Sequence, residues 1–307
     1  MSTISHLILC GPTRTATTSL YRQLSQDELF NPSRVKELDY FLPAMQGPLS
    51  GTPQTYLENF VRPGTNTISL EASPLYFGCG KPVAEAIAKT LGENVGIVMT
   101  LRNPYERLIS TIFHIMTKRN IHEQTDPAVL ARTAIDSGLT IPKSKSELNA
   151  AIVRESSYRP VLEEWLQVFP ADRIRIVFYD HLTDPERFRD VASSIYGFVG
   201  REHGLAADEL RHENQTRLVK NSGLHKTALA INNRLEPILN RVPGLRTMLR
   251  DVYYAFNERR SKGEQSELAI NAELRSELTS VLDERNRGLG QLLRGLGATD
   301  LPAWADR

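Results

Sequence analysis

Residues 6–20 read His6-Leu7-Ile8-Leu9-Cys10-Gly11-Pro12-Thr13-Arg14-Thr15-Ala16-Thr17-Thr18-Ser19-Leu20. The apolar run 6–10 stops at Gly11-Pro12, which reads as a buried strand followed by a sharp loop. From Thr17 the spacing changes: Leu20, Tyr21 and Leu24 recur at helical intervals, predicting a helix to about Gln26 with Thr17 or Thr18 as its cap. A strand, a small-residue loop and a helix start together make an anion site. The first amides of a helix lack intrahelical partners, and its dipole favours negative charge there. Thr15, Thr17, Thr18 and Ser19 add hydroxyl donors, Ala16 keeps the backbone approachable, and Arg14 supplies charge.

Outward from this stretch, further runs have strand character at 34–38, 67–70, 95–101 and 174–179. Helical patterns lie between them at 82–91, 104–118, 157–168 and 185–199. Strands alternating with helices predict a three-layer α/β fold, a parallel sheet with helices on both faces. Beyond Gly200 the pattern predicts a helical C-terminal extension without strands, with helices near 224–240, 244–258 and 266–294. Segments 42–66 and 119–156 read as irregular insertions. The expected organisation is a single domain over residues 1–307, with an α/β core to about residue 200 and the extension over 201–307.

Composition removes several function classes. The 37 basic and 36 acidic residues give a net charge of +1, so a nucleic-acid coat is not expected and any anion site is local. Two cysteines, Cys10 and Cys79, make neither a disulfide framework nor a Cys-rich zinc site, and no metal-ligand cluster is read from the chain. No apolar run reaches the roughly 18 residues of a membrane span. Met1 to His6 lack the pattern of a secretion signal, and the expectation is a cytoplasmic protein. The sequence leaves the oligomeric state open.

The loop is not a Walker A sequence. That motif carries Gly-Lys-Ser/Thr, whereas here Ala16 and Thr17 follow with no lysine, which disfavours a grip on Mg²⁺-triphosphate. A second anion element is Leu101-Arg102-Asn103-Pro104-Tyr105-Glu106-Arg107-Leu108-Ile109-Ser110. Arg102 falls at the carboxyl end of the 95–101 strand and Pro104 opens a helix. Ser110 lies under two turns along that helix, so Arg102 and Ser110 can grip one phosphate. Arg107 serves the same pattern or pairs with a carboxylate on the helix.

The two segments resemble the phosphate motifs of sulfotransferases that use 3′-phosphoadenosine 5′-phosphosulfate (PAPS), in particular the heparan sulfate and glycan type. There the first motif reads Gly-x-x-Lys-x-Gly-Thr-Thr-x-Leu and the second Leu-Arg-(Asp/Asn)-Pro-x-x-Arg-x-x-Ser. In this chain Arg14 stands at the lysine and Ala16 at the second glycine. The resemblance implies a P-loop NTPase-like sulfotransferase fold, PAPS as donor, 3′,5′-adenosine bisphosphate as product and no metal. It implies Arg14 and residues 15–19 at the 5′-phosphosulfate, and Arg102 and Ser110 at the 3′-phosphate. Arg217 and Lys220 sit where relatives place a basic loop over the nucleotide.

Lys36-Glu37-Leu38-Asp39-Tyr40-Phe41 resembles the family's Lys-Glu-x-His-x-Phe segment, which implies Glu37 as general base, with Asp39 in place of the histidine. His114, four residues beyond Ser110 on the same helix, and His122 are the alternative bases. Residues 70–77 resemble Glu-Lys-(Ser/Thr)-Pro-x-Tyr-Phe, which leaves Glu71, Ser73 and Tyr76 as acceptor-site candidates, with Ala72 at the family lysine. The function implied is sulfuryl transfer to a hydroxyl or amine of a carbohydrate or small-metabolite acceptor. The residues alone leave two alternatives open, a nucleotide kinase with an aberrant loop and a nucleotide-binding protein without transfer activity.

Overall fold

The computed structural model describes residues 3–49, 51–62, 67–118, 126–143, 147, 151–201, 218–219, 258–259 and 270–306. Five parallel strands form the sheet: β1 (His6–Leu9), β2 (Phe30–Pro32), β3 (Ile68–Ala72), β4 (Val95–Leu101) and β5 (Ile174–Phe178). Their order is β2-β3-β1-β4-β5. β3 and β4 are buried along their whole length, as strands covered on both faces must be. β2 is a three-residue edge strand closing on Pro32, a residue that has no amide to extend a ladder.

Side chains alternate across β1, and the core divides accordingly. Ile8 joins Ile97, Met99 and Ile176 beneath α4 (Lys81–Leu91) and α8 (Tyr158–Leu166). Leu7 and Leu9 join Leu70, Val98 and Val177 beneath α1 (Thr17–Leu24) and α10 (Pro185–Phe198). The short helices are α2 (Pro53–Leu57), α3 (Tyr76–Cys79), α7 (Ile152–Ser156) and α9 (Tyr179–Leu182). A third apolar cluster joins α5 (Pro104–Lys118), α6 (Pro127–Ser137) and α7 to α11 (Ala272–Arg285), through Leu108, Ile112, Val153, Leu274, Leu278 and Leu282. α12 (Leu289–Gly295) adds Leu289 and Leu293 to the first cluster.

The three-layer α/β expectation holds, with several local corrections. No strand forms at 34–38. The second strand is Phe30–Pro32 instead, because Glu37 and Asp39 take positive φ values of 62° and 55° that a strand cannot accommodate. α1 begins at Thr17, but its N-cap is Ala16 in the left-handed region, with no side-chain cap from Thr17 or Thr18. The 266–294 helix divides into α11 and α12, because Gly288 turns the chain at φ 76°. Two-residue strands, Leu218–Val219 and Glu258–Arg259, pair antiparallel in the region expected to be purely helical. The segment 119–156 carries α6, which Asp126 caps and Pro127 opens, and then α7. Helices expected at 224–240 and 244–257 lie outside the described residues, while Glu258 belongs to the second of the two short strands.

The register places the functional ends. β1 stops at Leu9 opposite Val98, so β4 runs on past it to Leu101. Sheet order reverses direction between β1 and β4, the switch point where open α/β sheets collect ligands. The chain after β1 must therefore cross the flank of β4 at Gly11. A Cβ built there would lie 2.0 Å from Thr100 Oγ1 and 2.5 Å from the Thr100 carbonyl oxygen. Gly11→Ala is expected to destabilise the fold by about 1–3 kcal/mol through overpacking. A urea midpoint equal to that of the parent chain would contradict this close approach.

Candidate active site

The loop after β1 has a rigid shape. Arg14 and Ala16 are both left-handed, at φ 72° and 67°, and such alternation turns successive amides toward one concavity. Thr15 is buried, with its hydroxyl 2.6 Å from the Pro12 carbonyl and 2.6 Å from Thr100 Oγ1. Thr17 is buried at the helix start, whereas Thr18 and Ser19 are partly open.

Thr13 anchors the loop from its other side. Its hydroxyl donates to Glu155 Oε2 at 2.8 Å, and Arg107 Nη1 donates to the same oxygen at 2.8 Å. Arg107 and Glu155 are almost wholly buried, at 0% and 3% side-chain exposure, so they form an interior ion pair. Burial pushes the Glu155 carboxyl up, against the pull of Arg107 and Thr13. Arg107 also donates from Nε to Ser156 Oγ at 2.7 Å and from Nη2 to the Ile152 carbonyl. Its partner is thus on α7 rather than on its own helix, and the carboxylate of α5, Glu106, pairs with Arg102 at 3.1 Å.

The two motifs meet at the switch point. Arg14 Nε donates to Ser110 Oγ at 3.1 Å, and Ser110 is buried. Burial lowers the Arg14 pKa first, and the neighbouring charge of Arg102 lowers it further. Two guanidinium groups from separate loops therefore share one region, an arrangement that an anion relieves. Arg102 is held on three sides. Glu106 pairs with it, the Tyr179 ring lies 4.4 Å from its guanidinium carbon, and Tyr158 Oη donates to its backbone carbonyl at 2.6 Å. The Thr15 hydroxyl is spent on the Pro12 carbonyl, contrary to its expected role as a ligand donor; with the loop amides and the hydroxyls of residues 17–19, the remaining donor set fits a ligand bearing more than one phosphate-like group.

Beyond β2, residues 37–41 fold across the carboxyl end of β3. Glu37 N donates to the Ala72 carbonyl at 3.0 Å, while the Glu37 carboxylate is half exposed and pairs with Lys36 at 2.7 Å. Ser73 and Tyr76 are fully buried, and their hydroxyls donate to Glu71 Oε1 at 2.7 and 2.6 Å. Each then accepts a backbone amide from the segment, Asp39 N to Ser73 Oγ and Phe41 N to Tyr76 Oη, both at 3.1 Å. Tyr56 Oη donates to Glu71 Oε2 at 2.8 Å. Glu71 is thus a buried hub that orients the hydroxyls holding the Glu37–Phe41 segment.

Sequence reasoning brought Arg14, Thr15, Ala16, Thr17, Thr18, Ser19, Arg102 and Ser110 to one place, with Glu37 and Asp39 on the adjoining strand end. His114 is half-buried on α5, one turn beyond Ser110. His122, Arg217 and Lys220 lie outside the described residues. The residues that reasoning missed are supports: Thr13, Thr100, Glu155, Tyr158 and Tyr179. Of these, Tyr179 carried a usable signal, since it directly follows the strand beside β4.

Glu71 gives a measurable pH dependence. Burial raises its carboxyl above the usual glutamate range, despite three hydroxyl donors pulling the other way. The folded state then holds a proton that the unfolded state has released, so stability falls as pH rises from the ordinary glutamate value through the raised one. Glu71→Gln is expected to flatten that fall, as read from urea midpoints between about pH 4 and 8. An identical slope in the variant would assign the effect elsewhere.

Comparison with known proteins bears on the family and the fold. The sulfotransferase domain family matches residues 5–230. A sulfotransferase from Alicyclobacillus acidocaldarius superposes with a TM-score of 0.51 at 19% identity, covering 78% of this chain and 97% of that one. The sulfotransferase domain of the curacin biosynthetic pathway follows at a TM-score of 0.43 and 13% identity, covering 69% and 79%. That of the Synechococcus PCC 7002 olefin synthase gives 0.38 and 18%, covering 68% and 77%. No curated protein sequence matches the chain. Among the described residues no helix is long and apolar enough to cross a membrane. A family match over most of the chain, on a parallel sheet whose strand–helix junctions at Gly11 and Arg102 meet at its switch point, makes this protein a member of the sulfotransferase family, enzymes that take their sulfuryl group from PAPS.

Proposed function

We propose that the chain catalyses direct in-line sulfuryl transfer to a hydroxyl or amine of a carbohydrate or small-metabolite acceptor. The observation that carries the reading is the meeting of Arg14 and Arg102, one from each motif, with Ser110 bonded to Arg14. PAPS supplies the sulfuryl group, which leaves as the phosphosulfate bridge breaks. Arg14 and the amides of residues 15–19 hold the 5′ end and stabilise negative charge growing on the departing phosphate, a stabilisation by donors fixed beforehand. Arg14 does this as a planar fork where a lysine would act as a point charge. Arg102 and Ser110 grip the 3′-phosphate and so select against ordinary adenine nucleotides.

Glu37 accepts the acceptor's proton as the new bond forms. Its carboxylate is accessible, and its backbone is tied to the last residue of β3, beside the loop that follows β1. Asp39 lines the same segment. The balanced charge of the chain favours an acceptor that is not a long polyanion.

Two measurements test this reading. Adenosine 3′,5′-bisphosphate is expected to raise the melting temperature, and ATP with Mg²⁺ to do so far less; the reverse order would favour a kinase. With an active acceptor, Arg14→Ala is expected to lower turnover by about 10²–10³-fold. Glu37→Gln is expected to lower it by about 10²–10⁴-fold while leaving bisphosphate affinity in place. Full turnover in the first variant removes Arg14 from the chemistry, and full turnover in the second removes Glu37 as base.

A further inference from the structure

Residues 296–306 lie beyond the part of the chain that the family matches, yet they pack against the supports of Arg102. This segment is fixed at several points. Asp300 accepts from Arg187 of α10 at 3.0 Å and lies 3.7 Å from His181 of α9. Ala305 is buried, and its carbonyl lies only 2.7 Å from where a Cβ on Gly290 would be, so α12 needs glycine there to seat it. Asp306 pairs with Arg294.

Between these anchors stands Trp304. Its indole Nε1 donates to Asp180 Oδ2 at 3.1 Å. Its ring meets Tyr158 edge-on at 6.2 Å between centroids and Phe178 at 5.9 Å. Each contact leads to Arg102. Tyr158 holds the Arg102 carbonyl. Phe178 and Asp180 flank Tyr179, whose ring lies under the guanidinium. One indole thus bears on both aromatic residues that set the position of Arg102. Tyr158 is fixed from a second side by the same extension, since its amide donates to Asn286 Oδ1 at 2.7 Å while Asn286 Nδ2 donates to the Ser156 carbonyl at 2.9 Å.

We infer that Trp304 is a positioning residue for the 3′-phosphate subsite, acting through Tyr158 and Tyr179 on Arg102, so that the C-terminal segment sets donor selectivity without touching the donor. The inference rests on the proposed assignment of Arg102 to the 3′-phosphate. It is specific in its first contacts: the backbone of the loop around Arg14 is held through Glu155 and Thr100, whereas the Trp304 indole bears on Tyr158, Phe178 and Asp180.

The experiment compares binding of adenosine 3′,5′-bisphosphate and of adenosine 5′-monophosphate by calorimetry, on the full chain. Trp304→Ala is expected to weaken the bisphosphate about tenfold and the monophosphate hardly at all. Trp304→Phe, which keeps a ring against Tyr158 and Phe178, is expected to restore most of the difference. If the alanine variant does not fold, Trp304→Leu fills the space without the aromatic edges, and the same selective loss is expected. In an Arg102→Gln background the Trp304 substitutions are expected to add nothing. Equal weakening of both nucleotides, or no weakening in a background where Arg102→Gln does weaken the bisphosphate, overturns the inference alone. A parent chain that binds both nucleotides equally, with Arg102→Gln silent, overturns the Arg102 assignment and this inference together.

Discussion

The buried ion pair between Arg107 and Glu155 is the constraint on which the site depends. One guanidinium ties the start of α5 to both ends of α7, and one carboxylate oxygen takes both that guanidinium and the Thr13 hydroxyl. The loop after β1, the helix after β4 and a segment some 140 residues away are thereby fixed to one another. Such a pair is costly to desolvate and adds little net stability against an apolar replacement. Its value is geometric. Each remaining donor on Arg107 and the second acceptance at Glu155 reduce the number of ways the three segments can meet.

The same economy recurs at the other strand ends. Glu71 is buried under the 37–41 segment and turns the hydroxyls of Ser73 and Tyr76 so that they accept backbone amides from it. An apolar side chain there would leave the hydroxyls without a fixed sense. Interior carboxylates thus organise the two sides of the site, one through a threonine in the loop after β1 and one through hydroxyls beneath the Glu37 segment. Both are buried.

What was legible in the sequence follows from this division. The strand–loop–helix junctions at Gly11 and Arg102 are written locally, in an apolar run, a small-residue loop and a helix-opening Pro or Thr, and the structure reproduces them. Residues 34–38 read as an apolar run of strand character, whereas the backbone at Glu37 and Asp39 is bent by contacts with the end of β3, which adjacent residues do not encode. Glu155, Tyr158 and Tyr179 escaped because their partners are distant in sequence, and a lone carboxylate or tyrosine carries no periodic signal. Ala16 stands where the resembling motif has glycine, and its backbone is left-handed at φ 67°, a conformation the sequence does not announce for an alanine.

That conformation carries a cost that the rest of the fold must meet. A non-glycine residue in the left-handed region costs roughly 1–2 kcal/mol, and Arg14 and Ala16 both occupy it. The buried Thr15 hydroxyl, the Thr13–Glu155 bond and the close-packed Gly11 hold the loop in that shape. The form of this short turn is therefore set by packing partners distant in sequence, and a substitution at any of them releases strain into the loop without altering one of its own residues.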